Sequence, residues 1–236
     1  MSDISVTAVH GVGPVHAGDD LVALFLDALT AQGDVLRHHD LIVVTSKVVA
    51  KSEGRVVDFD GTDEHKLALI EQESTRMLRR RGPLRITETP HGFINANAGI
   101  DLSNADHGTA VLLPKDPDRS ARRFRSEIRR RCDVDVAVVV TDTFGRVWRQ
   151  GVTDVAIGSA GIRPVLDLRG TTDANGRVLE ATEVAIVDEI AGAANLVLGK
   201  AQGTPFALFR GLASSYFGEG SVREHIVRRS NDDLFR

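Results

Sequence analysis

Cysteine is all but missing from this chain: Cys132 is the only one in 236 residues. A single thiol permits no internal disulfide, which fits a reducing compartment. Cys132 closes an arginine-rich segment with no histidine beside it in sequence, so a structural thiol is expected rather than a nucleophile. Long apolar runs are missing too. No segment approaches the roughly 18 residues a membrane-spanning helix needs. The opening MSDISVTAVHGVG has no basic start followed by an apolar stretch, so no secretory signal is expected. These absences point to a soluble, cytoplasmic protein without membrane contact. Basic excess is lacking as well, since 29 basic against 33 acidic residues leave a net charge of −4. A general nucleic-acid binder would carry a strongly basic domain. A locally basic pocket for a phosphorylated small molecule stays open.

Familiar nucleotide signatures are equally absent. No GxxxxGK[ST] string occurs, and the GVG at 11–13 has no third glycine opening a helix. His38 and His39 sit in a turn, and His91 and His107 stand singly, so no histidine metal site is expected. Repeats, low-complexity stretches and linkers are not found. The expectation is one domain over 1–236, with room for two intimate subdomains.

What is present is an interspersed set of strands and helices. Strands are expected at Ile4–Val9, Asp40–Thr45, Thr109–Leu113, Val134–Thr141 and Phe206–Phe209. The unbroken apolar run before Thr45 implies burial on both faces. Asp19 and Asp20 open a helix through Leu29, and Val48–Arg55 reads as a turn or short strand. Thr62 caps a long helix with Asp63 and Glu64 in its first turn and Arg79, Arg80 and Arg81 at its end, stopped by Gly82-Pro83. Ile86–Asp101 reads as irregular. Ser120 caps a helix with Ala121, Phe124, Ile128 and Cys132 at helical spacing, and its seven arginines, Arg119 to Arg131, read as a solvated face. Thr182 caps a helix through Val197, and a short one follows near Val222–Arg228. Several connections are too short or glycine-rich for crossover helices, so an α+β fold of mixed sheets with flanking helices is expected over a doubly wound parallel one.

Polar clusters gather where apolar strands end. Ser46, Lys47 and Lys51 follow the first buried strand; Asp101, Ser103 and Asn104 lie in a Gly/Asn-rich loop; Asp142, Thr143, Arg146, Arg149 and Asp154 follow the strongest strand. Carboxylates with a threonine hydroxyl are hard oxygen donors, suited to Mg²⁺ or Mn²⁺ rather than zinc. Lysine, arginine and glycine-rich backbone are what a polyphosphate needs. Metal, cations and amides together form the kit of phosphoryl transfer. By residue type alone, lone Asp or Lys residues at strand ends are more often turn formers or solvated charges than ligands.

Taken together, GDD, VVTSKVVAKSEGR, NANAGIDLSN, VVVTDTFGRVWRQGVTDVAIGSAGI, TEVAIVDEIAGAANLVLGK and NDDLF resemble the coenzyme F420-0:gamma-glutamyl ligases, in order and spacing from Gly11 to Phe235. The resemblance implies a gamma-glutamyl ligase-type fold, α+β and unrelated to the ATP-grasp ligases, in an intertwined homodimer with the site near the subunit interface. It implies GTP as co-substrate, two sites for Mg²⁺ or Mn²⁺, and K⁺ as a further cation. The carboxylate of a deazaflavin precursor is activated as an acyl phosphate and joined to L-glutamate. Carried over by motif, Val12, Gly13, Pro14 and Val15 form a nucleotide-contacting loop, Ser46 and Lys51 meet the nucleotide, and Asn104 does so from the second loop. Asp101 and Asp142 share one metal, and Thr143 serves the other. Leu196, Val197, Leu198, Gly199, Lys200, Ala201, Gln202 and Gly203 close over the nucleotide. Lys51, Asp101 and Asp142 are thus the expected catalytic residues.

The chain departs from the family pattern at WRQGVTD, where Gln150 and Val152 stand in place of Asn and Gln, and at Asn95, in place of a common Cys. Two other readings therefore stand beside the first: an amide ligase of the same chemistry acting on another acid or amine, and a non-catalytic nucleotide-binding module. Family members exist both as stand-alone ligases and with a second, reductase-like domain. Arg146 and Arg149 have no motif-derived role; acid binding and structural ion pairing both suit a guanidinium.

Overall fold

The computed structural model describes residues 3–102, 108–199 and 203–234. In chain order it runs β1 (Ser5–Val9), α1 (Leu21–Ala31), β2 (Leu41–Thr45), α2 (Ser46–Ser52), β3 (Val56–Asp58) and α3 (Asp63–Gln72). Next come β4 (Arg76–Arg81), β5 (Leu84–Glu88), β6 (Ile94–Ala96), β7 (Thr109–Val111) and α4 (Pro117–Cys132). The remainder is β8 (Ala137–Gly145), β9 (Val152–Ala160), β10 (Leu166–Asp167), β11 (Glu183–Val184), α5 (Ile186–Leu198), β12 (Phe206–Arg210) and α6 (Val222–His225).

The apolar runs make the centre. A five-stranded sheet has the order β1-β12-β2-β8-β9, in which only β2 and β8 are parallel. Ile42, Val43, Val44, Val138, Val139 and Val140 are almost wholly buried, because helices cover both faces of these strands. Helix α4 packs on β8 and β9, and α5 packs across β1, β12 and β9. Phe25, Phe124 and Phe206 tie α1, α4 and β12 together, with ring centroids 5.2–6.0 Å apart in tilted and edge-on arrangements. Small antiparallel sheets, β4-β5-β6, β3-β7 and β10-β11, flank this centre. The result is the expected α+β class with mixed strand directions. Among the described residues no helix is long and apolar enough to cross a membrane.

Several local expectations are corrected. Residues 46–52 are helical rather than a turn or strand. The paired Val48 and Val49 suggest extension, but burial of Val49 and Ala50 overrides that weak preference. The helix after Thr62 ends at Gln72, and Arg79, Arg80 and Arg81 belong to β4, turned back on β5 at Gly82 with φ of +57°. That positive φ makes Gly82 a hairpin residue instead of a helix stop. The stretch from Ile86 is partly ordered as β5 and β6, and the unforeseen β9 pairs along β8 into the TDTFG segment. Helix α4 begins three residues before Ser120: Asp116 accepts from Arg119 N at 2.9 Å and Pro117 takes the first turn, where its missing N–H is harmless. Helix α5 starts at Ile186 rather than after Thr182.

Candidate active site

Because β2 and β8 run parallel, their C-terminal ends release Thr45-Ser46 and Asp142-Thr143 side by side, with Thr45 and Thr141 in register. An open cleft of about 940 Å³ lies there. Val12, Gly13, Pro14 and Val15 form one wall, and Lys51 of α2 stands on another. Asp101, Asp142 and Thr143 face the same space. Leu198, Gly199 and Gly203 border it from the end of α5. The motifs that lie apart in sequence are thus brought to one place.

Some expected residues fall elsewhere. Ser46 is buried behind the cleft surface, bonded to Asp142. Leu196 is 86% exposed and does not line the cleft, because the helical turn before Leu198 points it outward. Val197 is half-buried against the core. Asn104, Lys200, Ala201 and Gln202 lie outside the described residues.

Hydrogen bonds fix the carboxylates. Ser46 Oγ donates to Asp142 Oδ1 at 2.8 Å, and Thr143 Oγ1 donates to Asp154 Oδ1 at 2.6 Å. Lys47 Nζ pairs with Asp101 Oδ2 at 2.5 Å. Asp101 is itself anchored by a two-way backbone bridge to Val111, with N–O distances of 2.9 and 3.0 Å. The loop before it is held in an unusual shape: Asn97, Ala98 and Gly99 all have positive φ, at 50°, 56° and 70°. For Asn97 and Ala98 such backbone costs on the order of 1–3 kcal/mol each unless the surroundings enforce it. They do, since Thr87 Oγ1 accepts from Ala98 N and Asn97 Oδ1 accepts from Arg85 N. At Gly99 a Cβ would stand 2.8 Å from Leu113 and 2.9 Å from Asn95, so this position has no room for a side chain.

The electrostatics are those of crowded acids. Burial pushes Asp142 up to about 6; Asp154 and Asp101 add to the rise, and the Ser46 hydrogen bond opposes it. Among the described residues neither Asp142 nor Asp154 forms an ion pair. Asp142, a buried hard-oxygen donor that lacks a basic partner and holds charge reluctantly, suits a small divalent cation such as Mg²⁺ or Mn²⁺. No three Asp, Glu, His or Cys side chains among the described residues converge as a metal cage.

Other cleft residues were not legible as such. Lys66 comes from α3, whose polar surface shows no stripe to mark it, and Asn97, Asn195 and Thr204 line the cleft from segments without charge signals. Arg146, Arg149, Gln150 and Val152 are outside the chain's own cleft, at the tip of the β8–β9 hairpin, where Trp148 is 87% exposed. A second cleft of about 760 Å³ separates α1 and α2 from α4. There Arg131 is held by Asp20 and Glu127, and Arg119, Arg122 and Arg123 are exposed as the solvated-face reading expects.

An α+β frame that aims hydrogen-bonded carboxylates and lysines into one cleft is that of an enzyme. Residues 11–211 match the profile of the F420-0:Gamma-glutamyl ligase family. The chain is 36% identical over 249 residues to the Coenzyme F420:L-glutamate ligase of Methanothermobacter thermautotrophicus, covering 99% of both chains. It is 39% identical over 241 residues to the one from Methanopyrus kandleri, covering 94% of this chain and 93% of that one. It is also 38% identical over 239 residues to the one from Methanocaldococcus jannaschii, covering 94% of each. The chain belongs to the F420-0:gamma-glutamyl ligase family and is a ligase.

Proposed function

We propose that the protein joins L-glutamate to the deazaflavin precursor coenzyme F420-0, using GTP and Mg²⁺ or Mn²⁺ through an acyl phosphate. The observation that carries this reading is the meeting of Asp101, Asp142, Thr143 and Lys51 with the Val12–Val15 loop around one cleft. A carboxylate oxygen of the acceptor attacks the γ-phosphorus of GTP and GDP leaves. The amine nitrogen of glutamate then attacks the acyl carbon, loses a proton, and inorganic phosphate leaves.

The chain's own residues divide the work. Lys51 supplies a point charge to the nucleotide phosphates, and the loop at 12–15 offers close backbone approach through Gly13. Asp101 and Asp142 would hold one divalent cation and Thr143 the other; Ser46 keeps the Asp142 carboxylate oriented. When bound, the cations neutralise the repulsion between γ-phosphate and incoming carboxylate. Leu198, Gly199 and Gly203 border the cleft where the nucleotide would lie; the resemblance adds Asn104, Lys200, Ala201 and Gln202 to its contacts and K⁺ as an additional cation.

The active form is a cytoplasmic homodimer built on a single ligase unit, with no nucleic-acid or membrane partner. Exposed Val147, Trp148 and Val152 on the hairpin tip support an interface there. Gln150 and Val152 stand on that tip, outside the chain's own cleft. The test is mass spectrometry of the precursor with protein, GTP, Mn²⁺ and glutamate, alongside measured GDP. Glutamyl addition with GDP release supports the reading; binding of GTP with neither product would indicate a non-catalytic module.

A further inference from the structure

The hydrogen bond between Thr143 and Asp154 has no counterpart among the expected roles. Thr143 and Asp154 are direct partners across β8 and β9, so their side chains share one face at the cleft end of the hairpin. The register is set by an irregularity just before, where Val140 opposes Gly158 but Thr141 opposes Ala156. One extra residue on β9, Ile157, is thereby tucked away, 1% exposed, and the strand beyond it is re-aimed. Without that bulge Thr143 would face a different neighbour.

A threonine hydroxyl has one proton and two lone pairs. It offers lone pairs to a cation only if its proton is committed elsewhere. Asp154 Oδ1 accepts the hydrogen bond from the Thr143 hydroxyl at 2.6 Å. Asp154 is 93% buried, on the 7% exposure of the residue, and no ion pair holds it among the described residues. A buried carboxylate without a basic partner is expensive to maintain as mere packing.

We propose that Asp154 is a positioning residue: it accepts the hydrogen bond of the Thr143 hydroxyl and so turns the oxygen's lone pairs into the cleft, where Thr143 serves a divalent cation. The proposal rests on the metal-dependent ligase reading. Its part is to act through Thr143 rather than as a ligand of the cation.

The experiment measures Mn²⁺ binding to the full chain by electron paramagnetic resonance, with a non-hydrolysable GTP analogue, for wild type, Asp154→Ala, Asp154→Asn, Thr143→Ala and the double alanine variant. Asn keeps an Oδ1 that accepts from Thr143, so D154N should bind within about threefold of wild type. D154A should bind Mn²⁺ at least tenfold more weakly, as should T143A. The double variant should be no weaker than T143A alone, because the two residues act through one bond. Circular dichroism and melting curves identify any variant that has failed to fold, in which case D154N against wild type decides. D154N that binds as weakly as the alanine variant, or alanine effects that add, would overturn the proposal by making Asp154 act through its own charge. Wild-type protein that binds no Mn²⁺ would instead overturn the ligase reading itself, and this proposal with it.

Discussion

Ser46 and Asp142, 96 residues apart in sequence, are joined by a 2.8 Å hydrogen bond between the ends of two parallel strands. The bond holds a carboxylate whose burial raises it to about 6, so Asp142 is ionised at neutral pH only against the pull of its surroundings. The folded value exceeds the ordinary one, so between about pH 4 and 6 the folded state binds more protons than the unfolded state. Asp142 therefore favours folding least above pH 6.

It follows that Asp142→Asn should stabilise the ligand-free protein at pH 7, by on the order of 1–3 kcal/mol, while crippling turnover. Urea unfolding at pH 7 and pH 4.5 checks this, with the gain fading at the lower pH. A gain over wild type that is absent at pH 7, or equal at both pH values, would remove the assigned strain.

Cation dependence should also steepen in acid. Below about pH 6 protonation of Asp142 competes with metal, so the Mn²⁺ concentration for half-maximal turnover should rise as pH falls from 7 to 5.5. Ser46→Ala removes the bond that opposes the shift, so its rise should begin at higher pH. Identical metal titrations at both pH values would contradict the role of Asp142.

Lys51 is expected to serve GTP rather than glutamate. Lys51→Ala should raise the apparent KM for GTP by tenfold or more, in line with about 1.5–3 kcal/mol for a charged hydrogen bond, and change that for glutamate little. An effect confined to glutamate would place Lys51 in the acceptor pocket.

Away from the cleft, Arg210 bonds both oxygens of Asp40, both of Asp34 and the Val35 carbonyl, and Asp40 is 2% exposed. Arg210→Ala leaves that buried carboxylate without its cation and should lower stability by about 3–5 kcal/mol. Chemical denaturation reads the loss directly.

Sequence made the centre of the fold legible because its strands are unbroken apolar runs: LIVV before Thr45 and AVVV before Thr141 pair in parallel as buried strands do. It also showed which polar residues end those strands. It did not show β9, whose VTDVAIGSA mixes strand and turn residues and is fixed by pairing with β8. Nor did it show β4, where arginines at exposed positions of a hairpin look like the basic end of a helix. Within the site, Asp154 and Lys66 gain their places from register and helix docking, which no spacing in the chain encodes.

The most direct measurement incubates the protein with coenzyme F420-0, GTP, Mn²⁺ and L-glutamate, then quantifies GDP and glutamylated product together. One GDP should be released for each glutamyl unit added, with both lost in Asp101→Ala. Glutamyl addition without GTP cleavage, or an Asp101→Ala variant with unchanged rate and metal dependence, would contradict it.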